Sequence, residues 1–277
     1  MWPADFPAGA RPLGLELRVR DLELELAFWR DLLGLSERGR DSGRVWLAPA
    51  GGGMELVLRH SPKAHLAQGG SAGLYHLALL VPSREALGKI LIHLAQAKTK
   101  FVGFADHGVS EALYLSDPEG NGLELYRDRP SSEWRHLSNG DIWMTTEPID
   151  LEGVAQTGGK PGLLDSGTVL GHLHLAASDL AAMQAFYREG LGLGQPISYA
   201  PGATFLSAGG YHHHLGINSW GNPSRRDPEA TGILAWSWTS DAWGDWAEAA
   251  GRRGLEIRPQ PVGFQLTDPL GLEVWLR

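Results

Sequence analysis

Apolar and polar positions alternate along Gly14–Val19, the two-residue period of a strand half buried in a sheet. Asp21 then stands where a helix N-cap belongs, and Leu22, Leu26, Trp29 and Leu33 recur at the spacing of one helical face. Gly34 closes that helix, and strand-like runs follow at Arg44–Ala48 and Met54–Leu58. A second unit repeats the order: a strand near Tyr75–Val81, a helix over about Arg84–Ala97, then strands at Ala112–Ser116 and Gly122–Tyr126. A third unit spans roughly Val169–Trp220 and a fourth Gly232–Arg277.

These units are related as an internal repeat. Asp21–Leu35 (DLELELAFWRDLLGL) and Asp179–Leu193 (DLAAMQAFYREGLGL) share Asp, Leu, Ala, Phe, an aromatic, Arg, an acid and Leu-Gly-Leu at an offset of 158. Asp117-Pro-Glu-Gly returns as Asp268-Pro-Leu-Gly at an offset of 151, each time before an apolar strand. The expected fold is therefore α+β, four strand–helix–strands units in two tandem halves. The halves are residues 1–128 and 168–277, joined by a linker over 129–167 rich in Pro, Gly, Ser and Thr.

The chain holds no cysteine, which removes disulfides, thiolate-bound zinc, iron–sulfur clusters and thiol nucleophiles together. Strong metal ligands must come from its 11 His and 32 Asp and Glu. A net charge of −8 argues against nucleic acid and for a small-molecule partner. No run approaches the ~20 apolar residues of a membrane span. Met1–Pro12 lacks the basic and then apolar order of a secretory leader, so the expected location is the cytoplasm.

The histidines sharpen this picture. His76 lies seven residues before Ser83, where its helix begins, and His172 lies seven before Asp179, where the third unit's helix begins. Alone, His76 reads as a hydrogen-bonded core histidine; the matched position in two units argues that strands bring the two rings together. Glu124 sits in an apolar strand, sharing a face with Gly122 and Tyr126, and a buried carboxylate there needs a cation or dense hydrogen bonding. Two imidazoles and one carboxylate make the facial triad of non-haem Fe(II) enzymes, and Mn(II) takes the same ligands. His107 and the run His212-His213-His214 complete the candidates. Trp220, Trp236, Trp238, Trp243 and Trp246 read as core packing rather than as a substrate cage.

The stretch His107-Gly-Val-Ser-Glu-Ala-Leu-Tyr114-Leu-Ser-Asp-Pro-Glu-Gly-Asn-Gly-Leu-Glu124 resembles the signature of extradiol ring-cleaving dioxygenases. More broadly, four βαβββ units resemble the vicinal oxygen chelate superfamily, which also includes glyoxalase I and bleomycin resistance proteins. The likeness covers almost the whole chain and is nearest to four-unit catechol 2,3-dioxygenases. It implies iron ligands at His76, His172 and Glu124, a catalytic histidine at His214, and His107 and Tyr114 as partners of substrate and oxygen. His174 and His212 share strand faces with His172 and His214 and stand as substitutes for them. The resemblance also implies a catechol-type substrate with O2 and a homo-oligomer. Other readings on the same fold are a glyoxalase I-like isomerase or thiol transferase, and a metal-free binding protein.

One departure from the family pattern shapes the expectation. The family builds its site from the third and fourth units, whereas here the fourth has Ala235 where a ligand His belongs, and Glu273 falls at the wrong spacing. Pairing of the second unit with the third, across the chain's middle, is therefore expected. A competing pairing of units one and two uses Glu55, His76 and Glu124, with Gly14 in a ligand's place, and leaves His172 and His214 without roles.

Overall fold

The computed structural model describes residues 5–197 and 201–277; Met1–Ala4, part of the stretch read for a leader, lie outside them. Unit one runs β1 (Arg11–Val19), α1 (Leu22–Leu26), β2 (Ser36–Arg40), β3 (Arg44–Ala48) and β4 (Glu55–His60). Unit two follows with β5 (Gly73–Leu80), α2 (Arg84–Gln96), β6 (Gly103–Asp106), β7 (Ser110–Ser116) and β8 (Gly122–Asp128). After α3 (Leu151–Gly158), unit three comprises β9 (Val169–Ala176), α4 (Leu180–Gln184), β10 (Gly194–Ile197), β11 (Ala203–Ser207) and β12 (Leu215–Asn218). Unit four closes the chain with β13 (Gly232–Thr239), α5 (Trp243–Arg252), β14 (Arg258–Pro259), β15 (Phe264–Thr267) and β16 (Glu273–Leu276).

The repeat is structural down to its helix starts. Asp21 accepts from the Leu24 amide at 3.1 Å and Asp179 from the Ala182 amide at 2.9 Å, the N-cap bond that satisfies an otherwise orphan donor. Both short helices then widen into a π turn, at Ala27–Leu32 and Ala185–Gly190.

In space the halves interleave. One eight-stranded sheet has the order β10-β11-β12-β9-β5-β8-β7-β6, so it joins units two and three. The other has β14-β15-β16-β13-β1-β4-β3-β2, joining units one and four. Each seam is antiparallel, β5 on β9 and β1 on β13. Strand alternation sends Leu77 and Leu79 of β5, Leu123 and Leu125 of β8, and Leu173 and Leu175 of β9 into one apolar core. Leu15, Leu17 and Val19 of β1 with Trp236 and Trp238 of β13 enter the same core from the second sheet. Fully burying a side chain of this size contributes about 1.5–3 kcal/mol, so the shared core binds the sheets to each other.

The segment expected as a linker does more than connect. Asp150 caps α3 by accepting from the Gly153 amide at 2.9 Å, and Val154 buries its side chain. α3 lies against α2 at a glycine–glycine contact, where a Cβ on Gly158 would come within 2.2 Å of the Gly88 backbone. Only glycine permits that approach at both positions.

The Asp-Pro-x-Gly turns fasten each sheet to a helix of the other. Glu119 accepts from the Arg20 and Asp21 amides at 2.8 and 2.7 Å, at the start of α1. Glu25 of α1 in return accepts from the Glu119 amide at 3.1 Å and from Trp29 Nε1 at 2.9 Å. In the repeat, Asp268 accepts from the Tyr187 hydroxyl at 2.9 Å. Burial, helped by the neighbouring Asp117, pushes the Glu25 carboxyl up to about 9. Burial likewise lifts Asp117 and Asp268 to about 6.

A pH prediction follows from Glu25. Its ordinary value is 4.5, so between that and about 9 the folded protein holds a proton that the unfolded chain has released. Unfolding free energy therefore falls as pH rises through this window, and above about 7 the two aspartates no longer contribute. Denaturant midpoints are expected to decline from pH 7 to 9 in the wild type and to stay flatter in Glu25→Gln. Parallel slopes for the two proteins would remove the buried proton from the account.

Candidate metal centre

The side chains on the second face of the first sheet build the site. His76 and Ala78 of β5, Tyr114 of β7, Gly122, Glu124 and Tyr126 of β8, and His172 and His174 of β9 all alternate with leucines committed to the core. The register sets Ala78 beside both His172 and Glu124, so a small side chain separates two large ones. Gly122 has no room for a Cβ, which would fall 2.2 Å from the Tyr75 carbonyl and 3.0 Å from His76 Cβ.

Three donor atoms converge. His76 Nε2 lies 3.0 Å and His172 Nε2 3.2 Å from Glu124 Oε2, and the two imidazole nitrogens are 3.3 Å apart. All three residues are buried. Adjacent ligands at about 2.1 Å on an octahedral ion are themselves about 3.0 Å apart, so the donor set fits one first-row cation of Fe(II) or Mn(II) type. Burial pushes the Glu124 carboxyl up, but the His172 and His76 rings against it more than reverse this and hold it well below the usual range. Burial keeps His172 below its ordinary value, which favours the neutral, ligating imidazole.

His107 and Tyr114 meet beside this triad. His107 Nδ1 lies 2.7 Å from the Thr145 carbonyl, which only accepts, so Nδ1 carries the hydrogen and Nε2 accepts. The Tyr114 hydroxyl is 2.7 Å from that Nε2. Burial, and then the Glu124 charge, raise Tyr114 well above the normal phenol value, so it remains an O–H donor.

The triple histidine resolves differently from expectation. His214 stacks on Tyr211 with centroids 4.6 Å apart, accepts from the Ala208 amide at 3.2 Å and faces Trp238, away from the triad. Its burial depresses it to about 3. The ring at the triad is His213, 4.2 Å from the His172 ring, with burial holding it well below its usual value. β12 begins only at Leu215, so strand alternation does not extend back through the run and gives no guide to which ring turns inward. His212 contacts Asp128 behind His213. His174 lines the cavity but is bonded to Asn218 at 3.0 Å, and it stands outside the converging set. Trp220, expected in the core, is 42% exposed and 5.5 Å from the His174 ring at the cavity wall.

These groups border a cavity of about 540 Å³ walled by Val102, Phe104, Met144, Phe205 and Trp220. Among the described residues, none that line it is Lys or Arg. Among the described residues the second sheet brings no such donor set together: its larger pocket, about 470 Å³, is lined by Arg38, Trp46 and Glu55 and by no histidine. Gly14 and Ala235 border only a 40 Å³ recess, and Trp275 stands two residues past Glu273. Glu16 is paired with Arg44 and Arg59, and Glu55 with Arg277 at 3.1 Å. Glu55 thus lies in a different sheet from His76, which excludes the competing pairing of units one and two.

The model of the Glyoxalase/Bleomycin resistance protein/Dioxygenase superfamily matches residues 12–125 and again 169–275, and the chain belongs to that superfamily. Over 224 residues it is 40% identical to the catechol-2,3-dioxygenase of Bacillus subtilis (strain 168), covering 79% of this chain and 78% of that protein. In fold it is similar to glyoxalase I from Zea mays, with a TM-score of 0.58, 17% identity, and 97% and 92% of the two chains covered. The cppA protein of Streptococcus pneumoniae TIGR4 gives 0.56, with 13% identity over 99% and 98%.

Anaerobic equilibrium dialysis against Fe(II) or Mn(II) checks the donor set. One ion per chain is expected, with His172→Ala weakening it by more than the roughly 10–100-fold typical of losing an outer partner. His214→Ala is expected to bind within about twofold of the wild type, because no metal contact is lost. Retention of full affinity in His172→Ala would dismiss this site.

Proposed function

We propose that the protein is an extradiol dioxygenase, an oxidoreductase that opens a catechol ring beside its two hydroxyls by inserting both atoms of O2. The observation that carries this reading is the convergence of His76 Nε2, His172 Nε2 and Glu124 Oε2 to within 3.0–3.3 Å on the wall of a cavity. Similarity to a catechol-2,3-dioxygenase over most of the chain supports it.

His76, His172 and Glu124 would hold the ion, and a ferrous ion there supplies electron relay between ring and O2. The protein's own groups do the rest. His213, kept neutral by burial, takes a catechol hydroxyl proton and returns it later as general acid. Tyr114, held as a phenol with its hydrogen directed to His107, accepts from the second catechol hydroxyl and so orients it. The His107–Thr145 bond ties this pair to the segment between the halves, so the ring that positions Tyr114 is itself positioned. The apolar wall excludes water and accepts the hydrocarbon part of the substrate.

Oxygen uptake by the Fe(II)-reconstituted protein on adding catechol tests the reaction. Stoichiometric uptake with a yellow ring-opened product is expected, and loss of both in His172→Ala. A metal-loaded protein that consumes no oxygen with any catechol would instead favour the isomerase or thiol transferase chemistry of this fold.

The lining also predicts a preference among catechols. A carboxylate in this cavity would meet no Lys or Arg among the described residues, and burying an unpaired charge is costly. Alkyl-substituted catechols are expected to exceed carboxylated ones in kcat/KM by at least about tenfold, a modest 1.4 kcal/mol. Equal values would contradict the apolar assignment.

A further inference from the structure

Behind His213 a line of hydrogen bonds leads away from the cavity. His213 Nδ1 lies 2.7 Å from His212 Nδ1, and His212 Nε2 lies 2.9 Å from Asp128 Oδ1. The Tyr211 hydroxyl donates to Asp128 Oδ2 at 2.8 Å and is 2.9 Å from the Tyr126 hydroxyl. His212 is fully buried, whereas the Asp128 side chain is 23% exposed. The line crosses the seam between units: Asp128 ends β8, the strand of Glu124, while both histidines precede β12.

Donor and acceptor order along this line follows from valence. A carboxylate only accepts, so His212 Nε2 carries the hydrogen that meets Asp128. A neutral imidazole has one N–H, so His212 Nδ1 is an acceptor, and the His213 nitrogen facing it must be the donor. That hydrogen leaves His213 Nε2 with a bare lone pair, on a ring that lines the cavity. The tautomer of an isolated imidazole would not be fixed; here two successive hydrogen bonds fix it.

We propose that Asp128 and His212 are positioning residues that lock His213 in its Nδ1–H tautomer, so that Nε2 meets the substrate as a base. The proposal rests on the catechol reading for the identity of that substrate. When the catechol O–H bond breaks, its electron pair stays on the catecholate oxygen and its proton goes to His213 Nε2. The resulting imidazolium donates through Nδ1 to His212, whose Nε2–H points at the Asp128 charge. Tyr211 holds that carboxylate in place. The arrangement works as the aspartate of a hydrolase triad does, by setting which ring nitrogen is basic.

The tautomer is measured on metal-free, 15N-histidine-labelled protein by long-range 1H–15N correlation, with His213→Gln identifying the His213 signals. A protonated Nδ1 and a bare Nε2 are expected for wild-type His213. Asp128→Asn, which keeps the side chain's size, is expected to populate the other tautomer. After Fe(II) reconstitution it should lower kcat at least about tenfold with KM within twofold and an unchanged melting temperature. A wild-type His213 carrying its hydrogen on Nε2 overturns the proposal, and so does an unaltered tautomer in Asp128→Asn, whatever its rate. Should that variant fail to fold, the wild-type spectrum decides alone. If the tautomer is as expected but the wild type cleaves no catechol, the locking pair stands and the ring-cleavage reading fails.

Discussion

Where β5 and β9 lie side by side, His76 faces His174 and Ala78 faces His172, and on the other flank of β5 the same Ala78 faces Glu124. One strand thus sits between the two others that carry candidate ligands, and a methyl group is all that separates their side chains. Backbone hydrogen bonds of the sheet set these spacings, so the imidazoles and the carboxylate are held together without any need of their own attraction. Without a cation the cluster is costly: a buried carboxylate rests against His76 and against His172, whose ring burial holds below its ordinary value. The sheet imposes a geometry that the side chains alone would not choose, as a preorganised candidate ion site requires.

The second sheet uses the same topology for a different end. Its central strands carry Gly14 and Ala235, and its acids are neutralised by Arg44, Arg59 and Arg277. What it keeps from the repeat is the fastening device. The turn after β7, between Tyr114 and Glu124, is gripped by α1 of unit one through Glu119 and Glu25. Unit one, which among the described residues adds nothing to the His76–Glu124–His172 group, therefore steadies the hairpin that presents Glu124.

Much of this was legible in the chain. The equal spacing of His76 and His172 from their helix starts located them on equivalent strands, and loss of the ligand at Ala235 pointed to the pairing of units two and three. Period-two alternation placed Glu124 and Tyr126 on the face opposite the leucines. The reasoning failed where periodicity stops. The run His212–His214 lies in irregular backbone before β12, and its ring directions depend on tertiary contacts with Asp128, Tyr211 and Trp238. The linker's role was hidden for a similar reason: the Gly88–Gly158 contact and the Thr145 carbonyl are long-range features with no local pattern. Trp220 looked like core because composition does not distinguish a cavity wall from an interior.

The nesting of the two sheets has a consequence for synthesis. The inner seam joins strands whose facing residues, Leu80 and Val169, are roughly 90 positions apart, while the outer seam joins Arg18 to Gly232 across more than 200. Loop-closure entropy hardly separates them, since doubling a loop adds only about 0.6 kcal/mol. Time does separate them. At roughly 5–20 residues per second, β1 waits on the order of 10–40 s for β13, paired on one side with β4 and open along the other. For that interval Leu15, Leu17 and Val19 border an unsealed sheet edge, so the sheet of units two and three can close first while the sheet of units one and four is exposed to chance strand addition from other nascent chains.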